Sequence, residues 1–112
     1  MSEPTDFLPL TAPVFHILLA LAEGEMHGYA ILQEIERRSD GTVKLGTGTL
    51  YTAIKRMLAA GLLERAESRT DPAMDDERRR YYCLTPLGGR VARAEAARMN
   101  ALVGLAREKR VL

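Results

Sequence analysis

A chain of 112 residues is long enough for one domain with a modest core and too short for two. Its 46% apolar and 28% charged residues are an ordinary soluble, globular balance, and a single cysteine, Cys83, excludes an internal disulfide and fits a reducing compartment. The net charge of +1 does not by itself suggest a nucleic-acid partner. No apolar run approaches a membrane span and Met1 to Leu10 lacks the basic start of a secretory signal, so a cytoplasmic location without a membrane partner is expected.

Charge distribution says more than charge total. Residues 1–36 hold six acids (Glu3, Asp6, Glu23, Glu25, Glu34, Glu36) and no lysine or arginine. The rest of the chain therefore carries sixteen cations against nine acids, and a face built from it can be basic.

Residues 1–10 read as a flexible polar leader. Thr11 and Pro13 then make a helix start, a cap followed by a proline in the first turn. Val14 to Ala22 (VFHILLALA) is apolar nearly all round and predicts a central, buried helix. His16 in that run reads as a packed or rim residue rather than a metal ligand or catalytic group. After a turn at Glu23 to Met26, a second helix is predicted from about His27 to Arg38, with Tyr29, Ile31, Leu32 and Ile35 on its apolar side. Gly28 near its start allows a close approach by a neighbouring helix. Ser39-Asp40-Gly41 is a turn, and Val43-Lys44-Leu45 is long enough only for a short strand.

Leu45 to Leu63, LGTGTLYTAIKRMLAAGLL, is the stretch around which the chain is organised. Gly46 with Thr47 or Thr49 can cap its helix, and Gly61 can end it in the left-handed conformation. Leu50, Ile54, Met57, Leu58 and Leu62 form one apolar stripe. The opposite face carries Thr49, Thr52, Lys55 and Arg56 with Tyr51 on its flank, and no acid lies between Leu45 and Leu63. Short polar groups near a helix start and two cations further along suit a DNA groove, where base edges are read and phosphates neutralised.

Beyond Leu63 the periodicity changes to that of strands. Glu64 to Arg69 and Arg79 to Leu84 predict a hairpin whose long polar tip holds Asp75, Asp76 and Glu77. Thr85-Pro86 repeats the cap-plus-proline start of a final helix, about Pro86 to Lys109. Leu87, Val91, Ala94, Met99, Leu102 and Leu105 give that helix more apolar surface than so small a core can absorb, so a second chain is expected to cover it. The expected organisation is a leader (1–10), a winged helix-turn-helix domain (11–85) and a dimerisation helix (86–112), mainly α with a small β-hairpin.

The blocks HGYAILQEI at 27–35, GTLYTAIKRMLAAGLL at 48–63 and RRRYYCLTPLG at 78–88 resemble the signature of the PadR family of transcriptional regulators. The resemblance implies a homodimer that binds a pseudo-palindromic operator in double-stranded DNA, mostly as a repressor, with the C-terminal helices in the dimer contact. A single C-terminal helix is similar to the smaller subfamily. The resemblance leaves room for a small-molecule effector, and the absence of tryptophan excludes an indole-lined site. Two departures stand out. Gly46-Thr47 replaces the family's frequent Ser-Pro, and the hairpin tip DPAMDDE is long and acidic. Carboxylates repel phosphate, so wing contacts are expected from Arg78, Arg79 and Arg80 at its base rather than from the tip. With Thr47, Thr49, Tyr51, Thr52, Lys55 and Arg56 they complete the expected DNA-binding set. No set of acid, base and nucleophile, no metal-ligand spacing and no phosphate loop is present, so neither catalysis nor a cofactor is expected. The rival is a winged helix used only for protein contacts.

Overall fold

Five helices and three short strands make up the computed structural model, which describes residues 3–66 and 80–112. The hairpin tip, with Arg78, Arg79, Asp75, Asp76 and Glu77, lies outside the described residues. Helix α1 (Ala12–Leu21) starts after Thr11 with Pro13 in its first turn and buries Ile17, Leu18 and Leu21. Helix α2 (Gly28–Arg38) buries Ile31 and Ile35, and α3 (Thr47–Ala59) buries Leu50, Ile54 and Met57. These three stripes meet in one core with Leu62, Leu63, Tyr82 and Val91. Gly61 ends α3 at φ +79°, the left-handed conformation expected of it.

The sheet contains a strand that sequence reading put elsewhere. β1 (Met26–His27), β2 (Leu63–Arg65) and β3 (Tyr81–Leu84) form an antiparallel sheet in the order β1–β3–β2. Met26 pairs with Tyr82 and His27 with Tyr81, while Leu63 pairs with Leu84. A strand has only two edges, and β1 and β2 occupy both edges of β3. Val43-Lys44-Leu45 is therefore an irregular connector, with Val43 and Leu45 packed on the core. Tyr82 points inward, 2% exposed.

Two further expectations are corrected. The leader is not loose over residues 3–10: Pro4–Phe7 form a short 3-10 helix, and Phe7, Leu8 and Leu10 pack against the core. The amide of Leu10 donates a 2.8 Å hydrogen bond to Glu95 of α4 (Pro86–Glu108), a carboxylate with no solvent exposure. Its Oε1 accepts from Arg98, so the buried charge is paired as burial requires. Second, the start of α4 belongs to the core. Val91 is wholly buried and so is an interior residue rather than a dimer contact, while Leu87, packed on the same core, and Ala94 are half-buried.

Close backbone contact fixes how α4 crosses the end of α3. The Thr85 hydroxyl accepts from the Gly88 amide at 3.0 Å, capping the helix, and donates to the Gly61 carbonyl. The Thr85 amide donates to Leu62 O at 3.1 Å. A Cβ at Gly88 would fall 2.0 Å from Leu62 O, so only glycine permits this crossing.

Candidate nucleic-acid interface

Helix α3 has two faces with different chemistry. Its apolar stripe is sealed in the core, and Thr47, Gly48, Thr49, Thr52, Lys55 and Arg56 are all exposed. Gly46 occupies the cap position and supplies no side chain, and neither Thr47 nor Thr49 caps the helix. Among the described residues, the hydroxyls of Thr47, Thr49 and Thr52 have no hydrogen-bond partner, and Lys55 and Arg56 have no ion pair. Those groups are thus available to an external polyanion.

Tyr51 stands apart from this set. Its ring lies on Gly28, where a Cβ would come within 2.5 Å of the phenolic oxygen, and that oxygen is buried. Gly28 thus provides the close approach anticipated for it, and Tyr51 braces α3 against the start of α2. The first turn of α2 is held by His27, whose Nδ1 accepts from the Ala30 amide at 3.0 Å and whose ring meets Tyr81 edge-on at 5.5 Å. At the wing, Arg80 is half-buried just before β3, and Arg78 and Arg79 lie outside the described residues.

Two features elsewhere bear on function. Cys83 is half-buried with Sγ 3.8 Å from Glu64 Oε1. Burial first, then the charges of Glu64 and Glu25, push its thiol up, which disfavours the reactive thiolate. Between α1 and α2 lies a cavity of about 360 Å³ whose lining includes His16, Leu19, Glu34 and Arg38. His16 is half-buried at the wall of this cavity, the rim alternative of the expectation for it. Among the described residues, no three His, Cys, Asp or Glu side chains gather as metal ligands, and no helix is long and apolar enough to cross a membrane.

The model of the transcriptional regulator PadR-like family matches residues 17–94, more than half of the chain. The chain belongs to that family. Its members are regulators of transcription rather than enzymes. The chain is 41% identical over 93 residues to the transcriptional regulator Rv3488 of Mycobacterium tuberculosis, covering 83% of this chain and 78% of the relative. It is also 40% identical over 88 residues to a 37.1 kDa transposon protein of Streptomyces fradiae, of which it spans 23% against 79% of its own length. In fold it is similar to Bacillus subtilis PadR, solved in complex with operator DNA, with a TM-score of 0.64 at 21% identity. That likeness covers 77% of this chain and 47% of the other.

Proposed function

We propose that this PadR-family chain is a sequence-specific DNA-binding repressor that acts in the cytoplasm as a homodimer on a pseudo-palindromic operator. The observation that carries the proposal is the acid-free exposed face of α3, whose threonine hydroxyls at its start, and Lys55 and Arg56 further along, have no partner among the described residues. Thr47, Thr49 and Thr52 meet base edges and nearby phosphates, Lys55 and Arg56 neutralise backbone charge, and Arg78 to Arg80 contact the flank. Tyr51, inward in this structure, serves the interface by holding α3 in place. The apolar tail of α4, with Met99, Leu102 and Leu105 exposed, pairs with a second copy, which sets two recognition helices about 34 Å apart. A small-molecule effector belongs to the same proposal, and the cavity between α1 and α2 is large enough for a small ligand.

The test is binding to a duplex selected from a random pool, followed as a function of salt. With one phosphate neutralised per cation, Lys55→Ala with Arg56→Ala removes about four contacts per dimer. The log–log salt slope is expected to become shallower by about 3 to 4 units. An unchanged slope would remove both residues from the interface, and a chain that shifts no duplex at low salt would instead be a protein-contact module.

A further inference from the structure

The exposed surface of α3 divides into two stripes, and one of them faces a groove. Thr49, Thr52, Ala53 and Arg56, at helical offsets of 0, 3, 4 and 7, form one wall of an open groove of about 660 Å³. Thr11, Pro13 and Val14, at the start of α1, form the other. Lys55 lies outside it. Pro13, Val14 and Ala53 are half-buried and apolar, whereas Thr11, Thr49, Thr52 and Arg56 are exposed. Thr11 sits at the cap position of α1 without using its hydroxyl to cap it.

Charge distinguishes this groove from its neighbours. The cavity between α1 and α2 is lined by Glu23 and Glu34, and a further surface groove on α2 by Glu34 and Glu36. The groove between α1 and α3 has no acid in its lining, and its one cation is the arginine that has no ion pair among the described residues. A sugar–phosphate strand presents apolar deoxyribose edges between anionic phosphates, which matches an apolar floor beneath hydroxyl donors and a guanidinium. The planar guanidinium can hold two phosphate oxygens at once. Thr49 and Thr52 belong to both groove and recognition face, so the two surfaces are continuous.

We propose that this groove seats one phosphodiester strand of the bound duplex, with Arg56 as its cation and Thr11 as a DNA contact outside the recognition helix. The proposal rests on the DNA-binding reading above and adds a division of labour: the Arg56 stripe grips backbone whatever the sequence, and Thr11 fixes how far α3 enters the groove of the duplex.

The experiment uses the full chain and the selected duplex, in a series of copies that each carry one neutral methylphosphonate. The native protein is expected to respond at several positions per half-site, with a loss of about tenfold in affinity at the one that faces Arg56. Arg56→Ala should bind about tenfold more weakly, with a salt slope shallower by about 2 per dimer, and should no longer respond at that position while still responding elsewhere. Thr11→Asp, which places an acid in the groove, should weaken selected and random duplexes alike. Thr11→Val should weaken both about threefold with the slope unchanged. All three changes are at exposed positions, and unchanged melting checks the fold. An Arg56→Ala protein with the full native methylphosphonate pattern, or a Thr11→Asp protein that binds like the native one, overturns the groove assignment. A native chain that binds no duplex overturns the DNA-binding reading with it. Millimolar inorganic phosphate that shifts the Thr11 and Thr52 amide resonances, with DNA binding unmoved by the variants, would make the groove a small-anion site and also overturn the proposal.

Discussion

From Pro86 to Glu95 the last helix is held by Gly88 against the Leu62 carbonyl, by Val91 in the core and by Glu95 beneath the N-terminal segment. From Met99 to Leu105 the same helix leaves Met99, Leu102, Val103 and Leu105 between 37% and 52% exposed. Periodicity alone ran one apolar stripe through both halves. The difference arises because the core ends where the short N-terminal segment stops covering α4. Apolar side chains before that point are fixed by their own chain, and those after it face solvent unless a second chain arrives. Helical spacing shows which side chains share a face and says nothing of how far the rest of the fold reaches along it.

The sharpest way to break this contrast is to make the second half polar. Leu102→Asp with Leu105→Asp is expected to leave melting of the winged helix intact, because neither residue is buried within the chain. Full burial of each leucine is worth about 1.5–3 kcal/mol, so losing two from each side of a two-fold contact should dissociate the proposed dimer. Sedimentation should then show a monomer. Specific affinity should fall at least about 100-fold, because two linked half-sites become one, and non-specific affinity should fall far less. A variant that still sediments as a dimer would place the contact elsewhere, for instance on the exposed Leu19 of α1, itself 49% exposed.

The first half is broken by one methyl group. Gly88→Ala puts a Cβ 2.0 Å from the Leu62 carbonyl oxygen, and both partners are backbone, so neither can swing aside. The expected cost is about 3 kcal/mol, a fall in melting midpoint of about 12 °C or more. Calorimetry of the variant checks it, and a fall below about 1 kcal/mol would mean that α4 can shift along α3 with little resistance.

Much of the fold was legible because the helices carry clean 3.6-residue stripes: Leu50, Ile54 and Met57 went inward as their spacing required. The family resemblance was legible for a related reason. Gly28 meets Tyr51, and Thr85 and Gly88 meet Gly61 and Leu62, so residues in its three blocks touch one another. They are contacts that hold the fold, distinct from the exposed residues of α3 that face outward. The strand at Met26–His27 was not legible, since two residues show no alternation and only the free edge of β3 makes them a strand. The docking of Phe7, Leu8 and Leu10 had a signal in their apolarity, masked by prolines and acids around them. Glu95 had a signal too, an acid four positions after Val91 on the inward stripe, but its partner Leu10 lies 85 residues away and no local pattern connects them. Within the interface, exposure of the threonines and cations on α3 followed from helical phase, whereas the inward turn of Tyr51 depends on Gly28.

A smaller effect tests the attachment of the N-terminal segment. The Arg98 guanidinium first, and the Leu10 amide after it, hold the Glu95 carboxyl below the usual carboxylate range, against the opposing effect of burial. The folded pKa is thus depressed relative to the unfolded chain. The stabilisation is fully present above the unfolded value of about 4.3 and is lost as pH falls through the folded one. Glu95→Gln should therefore melt below the native protein at neutral pH, with the gap closing in acid below about pH 4. Proteolysis within residues 3–10 should become faster in the same variant. A gap that stays constant with pH would mean that Glu95 acts by shape alone.

The mildest change returns to the second half of α4. Gly104 has nothing within 4 Å of where a Cβ would stand, the opposite of Gly88 in the same helix. Helical geometry puts it about 200° from Leu102, on the side away from the apolar stripe. Gly104→Ala should then gain helix propensity without meeting a partner, raising stability by at most about 1 kcal/mol, or about 4 °C in midpoint. The same gain is expected in the native protein, the proposed dimer, and in the Leu102→Asp, Leu105→Asp variant, because the contact proposed for the dimer leaves that side open. Equal shifts in the two backgrounds would confine the dimer contact to the stripe of Met99, Leu102 and Leu105. A gain in the monomer that turns into a loss in the dimer would show that the second chain wraps round to the glycine side, where close backbone approach, as at Gly88, tolerates no added carbon.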